Sequence, residues 1–291
     1  MHEAAPHIGI IGDGVVGGAL RVWFESQRTS VASYDPPKGL SDRTVIDAAD
    51  IVFVCVPTPY EAGRGFDHSY LLDAMATITG SKLVVIKSTV LPGTTDELQR
   101  RYPQHSVTFN PEFLREASAV DDMVHPDRQI VGVTAASAGD APSVLAVLPT
   151  APFVRVCEAR EAEMAKYVAN SFLAMKVSFA NEVFDLCEHL GIDYTATRDI
   201  VAADARIGAS HTDVLAGGYR GYGGKCLPKD SKALLDLAAR AGVRMDVLAA
   251  ADAVNDRMTA SPQRIEAARR QRTPQPFESP AAQTEEHRRA A

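Results

Sequence analysis

No stretch of the 291 residues approaches the run of about 20 apolar residues that crosses a bilayer, which excludes a membrane-spanning helix. A surplus of positive charge is also missing. Lys and Arg number 30 against 37 Asp and Glu, for a formal net charge of −7. That balance argues against a broad nucleic-acid surface but leaves room for a local basic pocket holding one anionic ligand. Cysteine is scarce: the four, at 55, 157, 187 and 226, show neither the C-x-x-C spacing of a metal knuckle nor the density of a disulfide scaffold. Cys55 lies in the apolar run 51–56 and Cys187 in a helical pattern, so both read as core. Residues 1–7 hold no long apolar core, so no signal peptide is evident and a cytoplasmic setting is expected. What remains is ordinary soluble usage, 46% hydrophobic and 23% charged, in a chain long enough for two domains.

The first half carries a nucleotide pattern. The apolar run Ile8–Ile11 leads into Gly12-Asp13-Gly14-Val15-Val16-Gly17 and then a helical stretch, which is strand, G-x-G-x-x-G, helix. Gly12 permits the turn, Gly14 lets a pyrophosphate approach the backbone, and Gly17 lets helix and strand pack. The free N–H groups of the helix receive the phosphate charge. A second strand, Val31–Tyr34, ends at Asp35, about 20 residues on, where a carboxylate accepts ribose hydroxyls. Asp35 would repel a 2′-phosphate and so favours NAD, while Lys38 nearby keeps NADP open. Further apolar runs at 51–56, 83–87, 106–109 and 129–133 alternate with helical stretches, predicting a doubly wound parallel sheet. Ligands of such sheets sit beyond the carboxyl ends of the strands. The polar endings Pro57-Thr58-Pro59, Ser88-Thr89 and Asn110-Pro111-Glu112 fall there; each alone reads equally as a turn or helix cap, and together they favour a site.

Residues 161–190 contain no Gly or Pro and space Met164, Val168, Phe172, Met175, Phe179, Val183, Leu186 and Leu190 at intervals of three and four. The spacing predicts a long amphipathic helix ended by Gly191. A second row reads Lys166, Asn170, Leu173, Val177, with an ammonium and an amide heading an apolar stripe. One reading is a lysine whose stem packs while its head reaches water; the other is a cation and a donor aimed at an oxyanion or a water. Ala165, Ala169 and Ala180 would let another helix approach, including one from a second subunit.

Gly221-Tyr222-Gly223-Gly224-Lys225-Cys226-Leu227-Pro228-Lys229-Asp230 sets a thiol between two lysines where a glycine-rich loop enters a helix. Pro228 suits a first helical turn. A helix N-terminus and two ammonium groups favour the thiolate, which is how a chain prepares a nucleophile. The plain alternative is a small buried Cys in a tight turn.

Together these pieces resemble the UDP-glucose/GDP-mannose 6-dehydrogenase family over residues 7 to 256. The resemblance rests on Gly12–Gly17, Val56-Pro57-Thr58-Pro59, Lys87-Ser88-Thr89-Val90 with Pro92-Gly93-Thr94, and Asn110-Pro111-Glu112-Phe113-Leu114-Arg115-Glu116. It continues through Pro126-Asp127-Arg128, Glu163-x-x-Lys166-x-x-x-Asn170, Asp204-x-Arg206-Ile207-Gly208 and Gly221–Asp230. It implies an N-terminal Rossmann-like domain over 1–155, an all-α central domain with one long helix over 156–257, and a tail over 258–291, disordered from about 270. It further implies NAD-dependent oxidation of a primary alcohol to a carboxylate by two hydride transfers. Cys226 matches the thiol that captures the intermediate aldehyde, and Lys166 with Asn170 matches the oxyanion-stabilising pair. Thr89, Glu112 and Asp230 match residues that position or activate water. Gly12, Gly14, Val15, Val16, Asp35, Pro57, Thr58, Thr89 and Glu116 are the implied NAD contacts. The implied substrate contacts are Glu112, Phe113, Leu114, Lys166, Asn170, Arg206, Tyr222 and Gly223, with Arg206 reaching across a dimer interface in many members. No metal site, membrane or nucleic-acid partner is expected, and a homodimer through the central helices is.

Family members normally continue into a second Rossmann-like domain that grips the nucleotide, and no such domain is expected here. The substrate could therefore be a nucleotide sugar held with help from another chain, or a nucleoside or smaller sugar derivative. The alternatives are a single two-electron alcohol dehydrogenase, as in β-hydroxyacid dehydrogenases, which do not need Cys226, and a non-catalytic NAD-binding homologue.

Overall fold

The computed structural model describes residues 5–61, 65–214 and 218–260, and the tail expected from about 270 lies outside them. The chain divides into two compact units, one ending at Val168 and the other beginning at Ala169.

In the first unit, β1 (Ile8–Ile11), α1 (Val15–Ser26), β2 (Val31–Tyr34), α2 (Thr44–Asp47) and β3 (Ile51–Val54) are followed by a small pair, β4 (Tyr60–Glu61) and β5 (Gly65–Phe66). Then come α3 (Ser69–Thr77), β6 (Leu83–Ile86), α4 (Thr94–Arg101), β7 (Ser106–Phe109), α5 (Ala119–Val124), β8 (Arg128–Val133), α6 (Ala141–Val147), β9 (Phe153–Glu158) and the start of α7 (Ala159–Leu190). The main sheet has the order β2-β1-β3-β6-β7-β8-β9. Strand alternation sorts the core onto its two faces. Val52, Val54, Val84, Ile86 and Phe109 share one cluster with Leu71 and Met75, while Ile8, Ile10, Phe53 and Val85 share the other with Leu20, Phe24 and Val144.

The expected strands are present and the sheet is doubly wound, but it is not wholly parallel: β8 runs antiparallel to β7, and β9 lies parallel to β8. The only α-helix between β7 and β8, α5, has six residues. The chain thus reverses direction after β7 and enters β8 from the edge it has just left. In consequence β8 begins at the edge where β1, β3, β6 and β7 end. The edge strand β9 and the β4–β5 pair were not foreseen.

Where β8 meets the start of α7, the approach leaves no room for a side chain. A Cβ on Gly132 would lie 2.8 Å from both Ala159 Cα and Ala162 Cβ. Contact at backbone distance fixes α7 on the sheet, and with it every side chain of its first two turns.

The long helix exists as its spacing predicts, starting two residues early, yet the stripe expected to face inward does not. Val168, Phe172, Phe179 and Leu186 are 52%, 58%, 69% and 57% exposed on the chain by itself. The buried side is instead largely polar and small, with Ala162, Glu163, Lys166, Asn170, Ser171, Ala174, Ser178 and Asn181, and one large ring, Tyr167. Periodicity locates a face but not which side of it is inward. The second unit continues through α8 (Tyr194–Ala202), α9 (Leu227–Arg240) and α10 (Asp246–Ala260). Among the described residues no helix is long and apolar enough to cross a membrane.

Replacing Gly132 with Val forces α7 away from β8, and a loss of about 1–3 kcal/mol is expected, as for other overpacked sites. Urea unfolding of Gly132→Val against the parent protein measures it.

Candidate active site

The glycine turn has the shape its spacing predicts. Gly12 sits at φ +91°, and a Cβ on Gly17 would lie 1.9 Å from the Gly12 carbonyl oxygen, so only glycine allows α1 this close to β1. Gly14 is the N-cap of α1, with no side-chain cap and no acidic residue in the first turn. Nothing lies within 4 Å of where its Cβ would be. The N-terminal N–H groups, including those of Val15 and Val16, are thus left to an incoming anion. Asp35 follows β2, and its Oδ2 accepts from the Asp13 amide at 2.8 Å, tying the turn to the neighbouring strand. Lys38 donates to the Asp13 carbonyl and lies 4.0 Å from the Asp13 carboxylate, so its charge is already directed to Asp13.

Further along the same edge, the strand exits are knitted together. Thr58 Oγ1 donates to the Thr89 carbonyl at 2.6 Å, and Ser88 Oγ to the Val56 carbonyl at 2.7 Å. Pro57 is exposed and Thr89 half-buried on either side of this tie. Glu116 opens a short 3-10 turn and stands exposed, away from these contacts.

Glu112 follows β7 and meets Lys166 of α7. The Lys166 Nζ donates to Glu112 Oε1 at 2.8 Å and to the Glu112 carbonyl at 2.6 Å. The other carboxylate oxygen accepts from the Leu114 amide at 2.8 Å. Burial pushes the Glu112 carboxyl up, but the Lys166 charge and hydrogen bond, the Leu114 N–H and the Lys87 charge together hold it below its ordinary value. Lys166 is 3% exposed, so the expectation of a lysine head in water gives way to a buried, paired ammonium. It also lies 5.5 Å from the centroid of the Phe113 ring. One turn earlier, Glu163 of α7 accepts from the Gly93 amide at 2.6 Å and the Thr95 amide at 2.8 Å, capping α4.

In the second unit, Asn170 Nδ2 donates to Asp230 Oδ2 at 2.6 Å, both residues being buried. Asp230 Oδ1 lies 3.2 Å from the Lys229 ammonium but outside hydrogen-bond geometry. Cys226 is exposed, in no disulfide, and is the N-cap residue of α9, with Pro228 in the first turn. The loop before it is anchored from behind. Gly221, at φ +81°, would place a Cβ 2.6 Å from Asn255 Oδ1, and the Tyr222 amide donates to that same oxygen at 2.6 Å. The Tyr222 hydroxyl is buried against Asp252 at 3.1 Å; burial, then that carboxylate, drives its pKa upward. A Cβ on Gly223 would meet Tyr219 Oη at 2.9 Å. Arg206 is not drawn into the chain's interior: it is exposed and bound to Asp204 at 2.5 Å.

Two family models cover most of the chain: the UDP-glucose/GDP-mannose dehydrogenase family, NAD binding domain, matches residues 39–145, and the same family's central domain matches 160–257. The solved UDP-glucose dehydrogenase of Pyrobaculum islandicum is 31% identical, with a TM-score of 0.78, covering 89% of this chain and 70% of its own. The chain belongs to the UDP-glucose/GDP-mannose dehydrogenase family. UDP-glucose 6-dehydrogenases of Rhizobium meliloti and Pseudomonas aeruginosa are each 39% identical, over 231 and 241 residues, or 74% and 76% of this chain. The chain spans about half the length of these curated relatives, 52% and 50%. A Mycobacterium tuberculosis 3-hydroxyisobutyrate dehydrogenase, 18% identical with a TM-score of 0.69, shares the fold and covers 90% of this chain and 96% of its own. NAD is the cofactor of this family's first domain, and the uncapped N-terminus of α1, the open face at Gly14 and the Asp35 carboxylate fit it. Among the described residues no group of His, Cys, Asp and Glu could hold a metal ion.

Three supporting residues of this family member escaped the sequence reading as carriers of a role. Arg220, 6% exposed, donates to the side chain and carbonyl of Asn181 at 2.6 and 3.0 Å and pairs with Asp185 at 2.9 Å, bracing the Cys226 loop. Its only sequence signal is a basic residue inside a Gly-Tyr run. Glu163 gave a signal in its spacing from Lys166. Lys87 is the third: buried at the end of β6, it donates to Asn110 Oδ1 at 2.5 Å, linking the exits of β6 and β7. Burial brings its pKa down to about 8 from the ordinary 10.5, with Cys55 and Glu112 opposing. Burial likewise pushes the Cys55 thiol up to about 12.

Lys87 thus makes a pH prediction of definite sign. Between its folded pKa of about 8 and the unfolded value of 10.5, the unfolded chain binds more protons, so the Lys87 contribution to stability rises with pH across that window. Urea unfolding midpoints over this range should therefore climb more steeply in the parent protein than in Lys87→Met.

Proposed function

We propose that the chain carries out NAD-dependent oxidation of the primary alcohol of a nucleotide sugar, nucleoside or related sugar to a carboxylate, in two steps through Cys226. The observation that carries this reading is the exposed Cys226 thiol at the N-cap of α9, in a loop braced by Arg220, Asn181 and Asn255. A single alcohol oxidation has no use for a thiol.

Bound NAD supplies the acceptor for a hydride in each of the two oxidations. In the first, the substrate hydroxyl loses its proton as hydride leaves its carbon, and the nascent oxyanion is stabilised by Lys166 and Asn170. The Cys226 thiolate then adds to the aldehyde carbon, forming a C–S bond and a thiohemiacetal alkoxide. Loss of the second hydride from that carbon leaves a thioester. Water, deprotonated with help from a carboxylate, adds to the thioester and expels the Cys226 thiolate, giving the carboxylate product. Glu112 suits that base: it is held ionised at neutral pH by its contacts with Lys166 and Leu114. Asp230 and Thr89 complete the water-positioning set, Asp230 holding Asn170 by hydrogen bond.

The apolar row Val168, Phe172, Phe179 and Leu186, exposed on the chain by itself, supports the reading of a homodimer formed through α7. A second copy would cover it, and Arg206, exposed in one chain, would exchange its Asp204 contact to reach the partner's substrate.

Turnover with UDP-glucose and with a panel of nucleosides and free sugars should release two NADH per carboxylate formed. Cys226→Ser should stop at one NADH and an aldehyde, with overall acid production down by at least about 100-fold, in keeping with loss of a covalent nucleophile. One NADH per product in the parent protein would point to a two-electron dehydrogenase, and none across the panel to an NAD-binding homologue. Phe179→Glu should convert a dimer to a monomer by light scattering; an unchanged mass would place the subunit contact elsewhere.

A further inference from the structure

Arg128 opens β8, exposed to solvent but with its guanidinium held against a ring. Because β8 runs antiparallel to β7, its first residue emerges at the carboxyl edge of the parallel strands, where Glu112 and Phe113 also lie. Ligands of doubly wound sheets bind along that edge. The Arg128 guanidinium carbon sits 3.7 Å from the centroid of the Phe113 ring. Only a guanidinium lying flat against the ring brings its carbon so near, and in that posture the N–H donors point outward past the ring edge. Among the described residues those donors meet no acceptor and no carboxylate, although the residue before it is Asp127. Contact with the ring also has a cost: burial draws the Arg128 pKa down, and Asp127 only partly offsets this. The Phe113 ring centroid is also 5.5 Å from the Lys166 ammonium, so a ring next to the Glu112–Lys166 pair holds a preoriented fork of donors.

We infer that Arg128, stacked on Phe113, is a binding residue for the phosphate group of the substrate, contributed by the first unit itself. A planar fork held rigid on an aromatic face matches two oxygens of a phosphate and loses little freedom on binding. The inference rests on the proposed oxidation only for the identity of the ligand: it selects phosphate-bearing substrates over free sugars and nucleosides.

The experiment uses the full chain and inorganic pyrophosphate as the probe. In two-dimensional NMR, the arginine Nε–Hε signal missing from Arg128→Gln identifies Arg128. That signal should shift saturably with pyrophosphate in the parent protein. Affinity should fall about 10-fold or more in Arg128→Gln, as for loss of a charged hydrogen bond, while Arg128→Lys retains part of it. An unmoved signal, or equal binding by Arg128→Gln, overturns the inference. In steady-state assays with UDP-glucose, Arg128→Gln should raise KM about 10-fold with kcat kept. A fall in kcat and thermal stability with KM unchanged would make Arg128 a structural strut instead. If the parent protein releases no NADH with any substrate, the proposed oxidation fails, and the pyrophosphate titration still decides for or against Arg128.

Discussion

The pairing of Lys166 with Glu112 is the interaction around which the first unit is arranged. An ammonium and a carboxylate withdrawn from water each cost several kcal/mol, a cost recovered only when geometry is close and the remaining lone pairs are used. Both conditions hold. The ammonium takes two oxygens of one residue, and the second carboxylate oxygen takes the Leu114 amide. For this to happen the start of α7 must approach the sheet at backbone distance, which Gly132 allows, and be pinned to α4, which Glu163 does. Removing either support would leave a buried charge without its partner, so the ion pair and a packing contact depend on each other.

The second unit solves a different problem, how to present a thiol without burying it. Cys226 remains exposed at a helix N-terminus, while the loop behind it is fixed by buried polar contacts from two helices. Asn181 of α7 and Asn255 of α10 each accept from backbone or guanidinium donors of the 220–222 segment. Rigidity is supplied from the rear, and the thiol is left exposed. Asp230 and Asn170 are both buried, which gives the amide a fixed orientation.

Several polar residues at the edge of the sheet divide into those already satisfied and those that are not. Lys38 and Lys166 each contact a carboxylate or a backbone oxygen within the chain. Among the described residues the Arg128 guanidinium is held by the Phe113 ring. Arg128 is exposed, and what distinguishes it from Lys38 and Lys166 is a guanidinium held on a ring and not on an oxygen.

The sequence by itself determined the strands, the glycine turn at 12–17, the extent of the long helix and the position of Cys226 at a helix start, because each depends on local backbone chemistry and periodicity. Family motifs singled out Lys166, Glu112, Asn170 and Asp230 without showing how they pair. Tertiary structure decided those pairs, since Glu112 to Lys166 and Asn170 to Asp230 join residues distant in the chain. It also decided which side of α7 faces inward: the apolar and polar rows have equal periodicity, and only tertiary packing selects the polar one. The antiparallel course of β8 belongs there too. It rests on the pairing of β8 with β7 and β9, contacts between residues distant in the chain, and through it Arg128 arrives beside Phe113.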